Sequence, residues 1–374
     1  MPYDAVRTPT MLLNPAVCRN NIRRMAEKAR AHDLIFRPHF KTHQSRVVGR
    51  MFRDAGVERI TVSSLRMAAY FADDGWKDIT VAFPVNLREI DAINALAARV
   101  RLQLLVESAD TVRRLCEGLR HDLDVYVKID AGYGRTGIAH DNRTAIDAVC
   151  EEIARCPRLR LHGLLAHAGD SYHAATPEEV RNVFERTRAG LTAVAAALRP
   201  RHPELIVSVG DTPGCTLAED FTGVDEIRPG NFVFYDVMQL ELGACAAEDI
   251  AVVLAAPVVA VHPARGEFVI YGGGVHLSKE QHGRAGGETH FGRVVLLTDE
   301  GWSPPLPDTH IVRLSQEHGV VRSTPEIIDL LHPGALVGIL PVHSCLAAAC
   351  MRGYLMLDGS EADHCAGQPY TTQS

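Results

Sequence analysis

The chain has 374 residues, of which 46% are hydrophobic and 23% are charged, so it is long enough for one large or two ordinary domains with buried cores. Its formal net charge of −7 gives no electrostatic reason to expect nucleic acid or an anionic membrane surface as a partner. No stretch approaches the roughly 18 continuous apolar residues that a membrane span needs, and the first residues contain no basic segment before an apolar run, so we expect no signal peptide.

The first two thirds of the chain alternate between helical and strand patterns. Asn14 and Pro15 are typical of a helix start, and the apolar residues after them recur at helical spacing, which predicts a helix over 15–32. Short apolar runs then follow at 60–64, 78–83, 102–108, 124–130, 159–169 and 205–210. Strands that are apolar on both faces and separated by helices indicate a parallel sheet. We therefore predict a (β/α)8 TIM-type barrel over residues 8–244.

The pattern changes near residue 245. Runs rich in β-branched residues, punctuated by proline and glycine, dominate from there, and helical periodicity is scarce. We predict a second, mainly antiparallel β domain over residues 245–374, with residues 1–7 as a candidate addition to it.

The nine cysteines are scattered, odd in number and free of CxxC pairs. This usage predicts reduced thiols, mostly buried as small hydrophobic residues, and a cytoplasmic location.

The first motif with chemical potential is RPHFKTH at 37–43, which contains Lys41. A buried lysine has a lowered pKa and a nucleophilic amine, as Schiff-base chemistry requires. An isolated lysine at a strand end is more often a surface residue, however. Only the motifs that follow Lys41 therefore support a Schiff-base role for it.

Two glycine-containing segments and one arginine loop follow predicted strands. In KIDAGYGRTG (128–137), Arg135 could hold an anionic oxygen in a bidentate grip. In SVGDTPG (208–214) and EIRPGN (226–231), backbone amides could hold a phosphate, as loops near the last barrel strands often do. Each segment taken alone is equally compatible with an ordinary turn.

The fourth motif is PVHSC at 341–345, where His343 and Cys345 lie two apart on a predicted strand and so share a face. Imidazole and thiolate suit zinc, and two protein ligands would leave positions open for water or substrate. The alternative is a hydrogen-bonded histidine and a buried cysteine with no metal.

These four motifs, in this order, resemble those of the fold-type III pyridoxal-phosphate (PLP) enzymes, the group that includes the alanine racemases. RPHFKTH and the HxC pair are specifically similar to the branch of D-serine dehydratases and D-threonine aldolases. The resemblance extends from Thr8 to about Leu357.

The resemblance implies roles for individual residues. Lys41 would carry PLP as a Schiff base and act as a base, His167 would be a second catalytic residue, and Arg135 would contact the phenolic oxygen of PLP. A divalent metal would be bound by His343 and Cys345. The full set of residues implied to contact PLP is Lys41, Arg135, Tyr172, Gly210, Thr212, Gly230, Asn231 and Tyr235.

The resemblance also implies a PLP- and metal-dependent lyase acting on D-3-hydroxy amino acids, forming a homodimer with the site near the interface. Within the branch, HxC resembles the dehydratases, which use zinc, whereas HxD resembles the aldolases, which use manganese or magnesium. Dehydration is therefore favoured. The alternatives are retro-aldol cleavage of the D-threonine aldolase type, amino-acid racemization, and a non-catalytic PLP-binding protein.

Three segments depart from the branch. Lys128 stands where a carboxylate is usual, residues 271–279 replace an acidic segment, and LAAACM replaces a more polar continuation after Cys345. Glu317 and His318 are candidates either for metal or substrate contacts or for a structural strand end. These departures concern the substrate more than the cofactor.

Overall fold

The computed structural model describes residues 2–283 and 288–367. The chain divides into two compact units. Among these residues, the barrel unit comprises 24–41 and 52–230, and the β unit comprises 2–23, 42–51, 231–283 and 288–367. No helix in the described part of the chain has the length and apolar character needed to cross a membrane.

The barrel unit is built on eight parallel strands. In sheet order they are Ile35–Phe36, Glu226–Ile227, Ile206–Val209, Leu159–Leu165, Leu123–Asp130, Arg101–Val106, Asp78–Pro84 and Arg59–Val62. The amide of Thr61 donates to the Pro38 carbonyl at 2.9 Å, and the amide of Phe40 donates to the Thr61 carbonyl at 2.8 Å. These bonds join the two edge strands, so the sheet closes and the predicted (β/α)8 barrel is confirmed. A two-residue strand, Ile138–Ala139, pairs beside Leu123–Asp130.

Helices alternate with these strands as the sequence pattern predicts. Their starts are fixed by side chains that accept hydrogen bonds from the first turn, such as Ser64 from the Met67 amide and Ser108 from the Thr111 amide. The helices in the first 230 residues are Pro15–Ala31, Arg46–Asp54, Leu65–Asp73, Ile90–Ala97, Ala109–Gly118, Arg143–Arg155, Pro177–Leu198 and Thr212–Leu217. Pro15–Ala31 confirms the helix predicted over 15–32.

The interior of the barrel contains a buried ion pair between its first and last strands in chain order. Arg37 Nε lies 2.6 Å from Glu226 Oε2, and both side chains are almost fully buried. Tyr126 and Ser208 donate to the other oxygen of Glu226 at 3.0 and 2.7 Å. The Arg37 guanidinium is the main favourable influence that overcomes burial and lowers the pKa of Glu226. The polar groups inside the barrel thus satisfy one another.

The β unit contains a nine-stranded, largely antiparallel sheet. In sheet order its strands are Glu267–Tyr271, His318–Arg322, His310–Leu314, Gly292–Val295, Leu336–Pro341, Val252–His262, Thr10–Leu13, Tyr354–Met356 and Glu361–Ala362. Glu267–Tyr271 also pairs with Val252–His262, which closes the first six strands into a small barrel around buried residues such as Phe268 and Ile339. This confirms the predicted antiparallel β domain.

The β unit also contains short elements outside that sheet. Leu297–Thr298 and Gly301–Trp302 form a separate hairpin. The helices are Val237–Glu241, Gly274–Leu277, Pro325–Ile328 and Ser344–Met351.

Some segments of the predicted barrel domain, residues 8–244, belong to the β unit instead. Thr10–Leu13 pairs antiparallel with residues 252–255 and parallel with Tyr354–Met356. Residues 42–51 and 231–244 cluster with the same unit. An apolar run does not specify which distant strand it pairs with, so a change in composition near residue 245 could not reveal these additions.

One pair of cysteines contradicts the expectation of reduced thiols. Cys116 and Cys156 form a disulfide across 40 residues of sequence. They lie at the ends of two helices, Ala109–Gly118 and Arg143–Arg155, which a sequence spacing cannot show to be neighbours. The other seven cysteines are free thiols, five of them buried, as predicted. The cytoplasmic location stays a prediction.

Replacing Arg37 with methionine is expected to lower the free energy of unfolding by about 3–5 kcal/mol, because Glu226 would be left buried without its cation. Urea unfolding followed by circular dichroism measures this change. The control is Arg99→Ala, which removes an exposed ion pair with Asp73 and should change stability by less than about 1 kcal/mol. Equal losses in the two variants would show that the buried pair is not required.

Candidate active site

The predicted site residues of the barrel unit follow the carboxyl ends of its strands. Lys41 follows Ile35–Phe36, Arg135 follows Leu123–Asp130, and His167 follows Leu159–Leu165. Gly210 and Gly230 follow the last two strands. In a closed parallel barrel these ends share one rim, which is where barrels assemble their active sites.

His167 is held as a neutral imidazole. Its Nδ1 lies 2.6 Å from the Gly210 carbonyl oxygen, and because a carbonyl only accepts, Nδ1 carries the proton and Nε2 is left as an acceptor. Burial holds the pKa of His167 well below its usual value, and the neighbouring charge of Lys41 lowers it further. The ring is therefore a proton acceptor near the amine of Lys41.

The loops at the last two barrel strands are joined to each other. The Gly230 amide donates to Thr212 Oγ1, and the Thr212 amide donates to the Tyr172 hydroxyl, both at 3.3 Å. A side chain at Gly210 would place its Cβ 2.9 Å from Arg228 Cβ, so only glycine lets these loops approach. Four residues that the sequence assigns to cofactor binding thus lie together.

Arg135 contacts an aromatic ring, unlike the hydrogen-bonded loops of Gly210, Thr212 and Gly230, which are called the phosphate-type loops below. Its guanidinium carbon lies 5.1 Å from the centre of the Tyr133 ring, within the range of a cation–π contact. The Tyr133 ring stands edge-on to His167, with ring centres 5.9 Å apart. The arginine loop is therefore connected to His167 through an aromatic ring.

Arg228 belongs to the site but was missed by sequence reasoning. It is almost fully buried, and its guanidinium donates to Ser208 Oγ at 2.7 Å and to the Ala166 carbonyl at 2.5 Å. Burial lowers its pKa, against the attraction of Glu226. Arg228 lies inside the quoted segment 226–231, but its role depends on Ala166 and Ser208, which are distant in the sequence, so the segment alone gave no signal for it.

Lys128 is a buried lysine of the barrel unit. Its Nζ donates to the Ile129 carbonyl at 2.9 Å. Burial lowers the pKa of Lys128 to about 8, and the positive charge of Arg228 contributes in the same direction. A departure that the sequence placed near the site is thus a buried amine with a lowered pKa, influenced by a buried arginine.

His343 and Cys345 do come together, although not on a strand. The strand Leu336–Pro341 ends before them, His343 is the N-cap of the helix Ser344–Met351, and Cys345 lies in its first turn. The strand prediction was wrong because an apolar run does not distinguish a buried strand from a buried helix. The two residues remain neighbours, because His343 directly precedes the helix and Cys345 is its second residue.

Asp236 is the buried partner of this pair and was not identified from the sequence. Its Oδ2 lies 3.2 Å from His343 Nδ1 and 2.9 Å from the Ser344 amide. Burial would lower the pKa of His343, but Cys345 and Asp236 together outweigh burial and raise that pKa well above its usual value.

Asn231 and Tyr235, predicted to contact the cofactor, belong to the β unit. Asn231 Nδ2 donates to Asp236 Oδ2 at 2.6 Å and lies 3.7 Å from Cys345 Sγ. Tyr235 has a φ of 49°, which is uncommon for a non-glycine residue, and its amide donates to the Asn231 carbonyl. The structure thus places Asn231 beside His343 and Cys345, which are called the metal-type pair below.

The metal-type pair supplies only two ligands. Within residues 2–283 and 288–367, no three His, Cys, Asp or Glu side chains form a group that could hold a metal. A metal held by His343 and Cys345 alone would keep positions open for water or substrate.

Glu317 and His318 lie at the start of a β-unit strand. Glu317 Oε2 is 3.7 Å from His276 Nε2, within the segment 271–279. Gly273 of that segment has no room for a side chain, because its Cβ would meet the Gln316 carbonyl. Glu317 and its neighbour Gln316 therefore pack on the segment 271–279, one of the departures noted in the sequence.

Family models match most of the chain. The alanine racemase N-terminal domain matches residues 13–237, and a serine dehydratase domain matches residues 251–357. The chain is 32% identical over 367 residues to D-threo-3-hydroxyaspartate dehydratase of Delftia sp. (strain HT23), with 94% of this chain and 95% of that protein covered. It is 29% identical over 378 residues to D-serine dehydratase of Dictyostelium discoideum, with 94% of each covered.

Solved structures of enzymes from this branch superpose on nearly the whole chain. The Delftia dehydratase superposes with a TM-score of 0.88 at 29% identity, covering 96% of this chain and 98% of that one. A cysteine-to-alanine mutant of that enzyme is described as its metal-free form, and it superposes with a TM-score of 0.89 at 28% identity, covering 96% and 98%. D-threonine aldolase from Filomicrobium marinum superposes at 0.82 with 21% identity, covering 97% and 96%, which shows a shared fold.

Lys128→Met is expected to stabilise the protein at pH 7 and to lose this advantage as the pH rises. The lysine has a pKa of about 8 in the folded protein, below the ordinary lysine pKa of 10.5 that we expect in the unfolded chain. Between these values the unfolded chain binds more protons than the folded one, so wild-type stability increases with pH across this window. Unfolding midpoints of both proteins at pH 7 and pH 10 measure the effect.

The matched control is Lys77→Met, which replaces an exposed lysine and should leave stability equally pH-dependent as in the wild type. A Lys128→Met advantage that is constant with pH would contradict the lowered pKa of Lys128.

Proposed function

The chain belongs to the alanine racemase-like family of PLP enzymes, in the branch of D-serine dehydratases and D-threonine aldolases, and from this membership we propose that it is a PLP-dependent lyase acting on D-3-hydroxy amino acids. Within that activity, we propose that it eliminates water from its substrate to give a keto acid and ammonia. A divalent metal, which we propose to be zinc, assists the reaction.

A single contact carries this proposal. Thr42 Oγ1 lies 3.1 Å from Cys345 Sγ, within the β unit. Thr42 is the residue after Lys41, so only one peptide, about 3.8 Å between Cα atoms, separates the proposed cofactor lysine from a side chain in contact with the proposed metal ligand.

The barrel unit offers the groups that PLP requires. Lys41 supplies the amine, the Gly210, Thr212 and Gly230 loops supply amides and a hydroxyl for the phosphate, and Arg228 supplies a buried cation. The close approach of Gly210 to Arg228 leaves backbone rather than side chain facing this region. When bound, PLP stabilises the negative charge that develops at the substrate Cα.

The β unit offers a donor set that suits a borderline metal. The contact with Asp236 occupies Nδ1 of His343, which leaves Nε2 as the ligand atom beside the thiol of Cys345. Imidazole with thiolate favours zinc over manganese or magnesium. Mutant structures of a D-threo-3-hydroxyaspartate dehydratase concern a histidine and a cysteine with the same two-residue spacing, which supports the assignment. When bound, the metal acts as a Lewis acid on the substrate β-oxygen.

The products depend on which of two bases removes a proton from the substrate. Lys41 would remove the Cα proton, which leads to loss of the β-hydroxyl and to dehydration. His167, neutral with Nε2 as an acceptor, could instead take the β-hydroxyl proton, which leads to cleavage into glycine and an aldehyde. The acceptor at His167 is the observation that keeps the aldolase reaction as the second candidate.

Dehydration is preferred for two reasons. The chain has HxC rather than HxD, and its serine dehydratase domain spans 251–357. The curated relatives also include D-threonine aldolase of Arthrobacter sp. at 25% identity over 353 residues, with 91% of this chain and 86% of that protein covered. Racemization and non-catalytic PLP binding have no comparable support. The homodimer with the site near its interface stays a prediction.

Incubation with D-serine, D-threonine and D-3-hydroxyaspartate tests the proposed reaction. We expect keto acid and ammonia in equal amounts, because proton removal at Cα would be followed by loss of the β-hydroxyl. Ammonia and keto acid are measured by coupled assays, and glycine by chromatography. Glycine plus aldehyde would identify an aldolase, and full activity after prolonged chelation would contradict the metal role.

The assignment of Lys41 has its own test. The chain contains five lysines, so borohydride reduction of the holoenzyme followed by peptide mapping can examine all of them. We expect the reduced cofactor on Lys41 alone, and no labelled peptide in Lys41→Ala. The matched variant Lys28→Ala replaces another lysine of the barrel unit, which donates to the Thr216 carbonyl, and should label normally. Label on any other wild-type lysine would overturn the assignment.

A further inference from the structure

We propose that Asp236 is the positioning residue of the metal centre, fixing the tautomer of His343 and aligning it with Cys345. This inference rests on the proposed metal role of His343 and Cys345. Asp236 would not touch the metal itself; it acts through the histidine and through the helix that carries the cysteine.

The geometry around Asp236 is that of a rigid acceptor. The side chain is fully buried, and its Oδ2 accepts from Asn231 Nδ2 at 2.6 Å and from the Ser344 amide at 2.9 Å. Ser344 Oγ lies 3.3 Å from the same oxygen, and His343 Nδ1 lies 3.2 Å from it. Four donors on one oxygen leave the carboxylate a single orientation.

This arrangement determines which nitrogen of His343 can bind a metal. A carboxylate oxygen only accepts, so the contact requires a proton on Nδ1. The lone pair must then be on Nε2 once the ring is neutral. Metal-bound histidines commonly donate their second nitrogen to a carboxylate, and this partner fixes both ring orientation and ligand basicity.

The same oxygen also aligns the second ligand. Ser344 begins the helix Ser344–Met351, and Cys345 lies one residue further along it. Because the Ser344 amide and the His343 ring donate to one atom, the helix start and the imidazole cannot shift independently. Asn231 extends the network, since its Nδ2 also approaches Ser344 Oγ at 3.0 Å and Cys345 Sγ at 3.7 Å.

A purely structural role does not account for this arrangement. Asp236 also caps the helix Val237–Glu241, but its Oδ1 alone performs that role by accepting from the Gln239 amide at 3.0 Å. The other oxygen serves His343, Ser344 and Asn231. An asparagine at this position would keep only one acceptor oxygen. Its NH2 group would then point either at the Gln239 amide or at the donors of His343, Ser344 and Asn231.

The test is the metal affinity of Asp236→Asn. We expect zinc to bind about 10–100-fold more weakly than in the wild-type holoenzyme, measured by competition with a chromophoric chelator. With cobalt in place of zinc, the thiolate-to-cobalt absorption should also shift. The matched control is Asp249→Asn, a buried cap in the same unit that accepts from the Ala246 amide, and it should bind zinc as the wild type does.

A double-mutant cycle separates positioning from general damage to the fold. In the His343→Ala background, Asp236→Asn should weaken the remaining zinc binding less than it does in the wild type, because the part of its effect that passes through the histidine is already lost. An equal loss of affinity in both backgrounds would mean that Asp236 acts only on the fold, and would overturn the proposal.

The zinc affinities of the wild type and His343→Ala also separate failure of the proposed metal site from failure of the proposed role of Asp236. If His343→Ala binds zinc as tightly as the wild type, the proposed metal site itself is wrong. If His343→Ala weakens binding but Asp236→Asn does not, the metal site stands and the positioning role of Asp236 is wrong.

Discussion

Closure of the barrel is the constraint on which the rest of the structure depends. The first barrel strand, Ile35–Phe36, and the last, Glu226–Ile227, are each only two residues long, so backbone pairing alone holds them weakly. The buried pair of Arg37 and Glu226 joins these strands from inside. Lys41 follows four residues after Arg37, and Gly230 follows four after Glu226. The ion pair therefore holds the lysine loop and a phosphate-type loop on one rim.

A single carboxylate has a comparable organising effect in the β unit. Asp236 connects a helix start, the histidine and Asn231, which explains why an isolated HxC motif can be ordered without a strand beneath it. Both centres thus use a buried acid, satisfied by several donors, to position a reactive group. Such acids act through contacts that are distant in sequence, because Asp236 lies 107 residues from His343.

This distance explains what the sequence could and could not predict. The barrel follows from local periodicity, and Lys41, His167 and the two phosphate-type loops lie at strand ends that such periodicity predicts. Arg228 and Asp236 could not be assigned, since their roles arise from partners far along the chain. The placement of Cys345 on a strand failed because an apolar run fits a buried helix equally well. The Cys116–Cys156 disulfide needed knowledge of which helices are neighbours.

The most direct test is a crystal structure of the holoenzyme with diffraction data collected on both sides of the zinc absorption edge. We expect continuous electron density from Lys41 Nζ to the cofactor and an anomalous peak within about 2.0–2.3 Å of His343 Nε2 and Cys345 Sγ. Cofactor density that is not joined to Lys41, or a metal bound away from His343 and Cys345, would contradict this expectation.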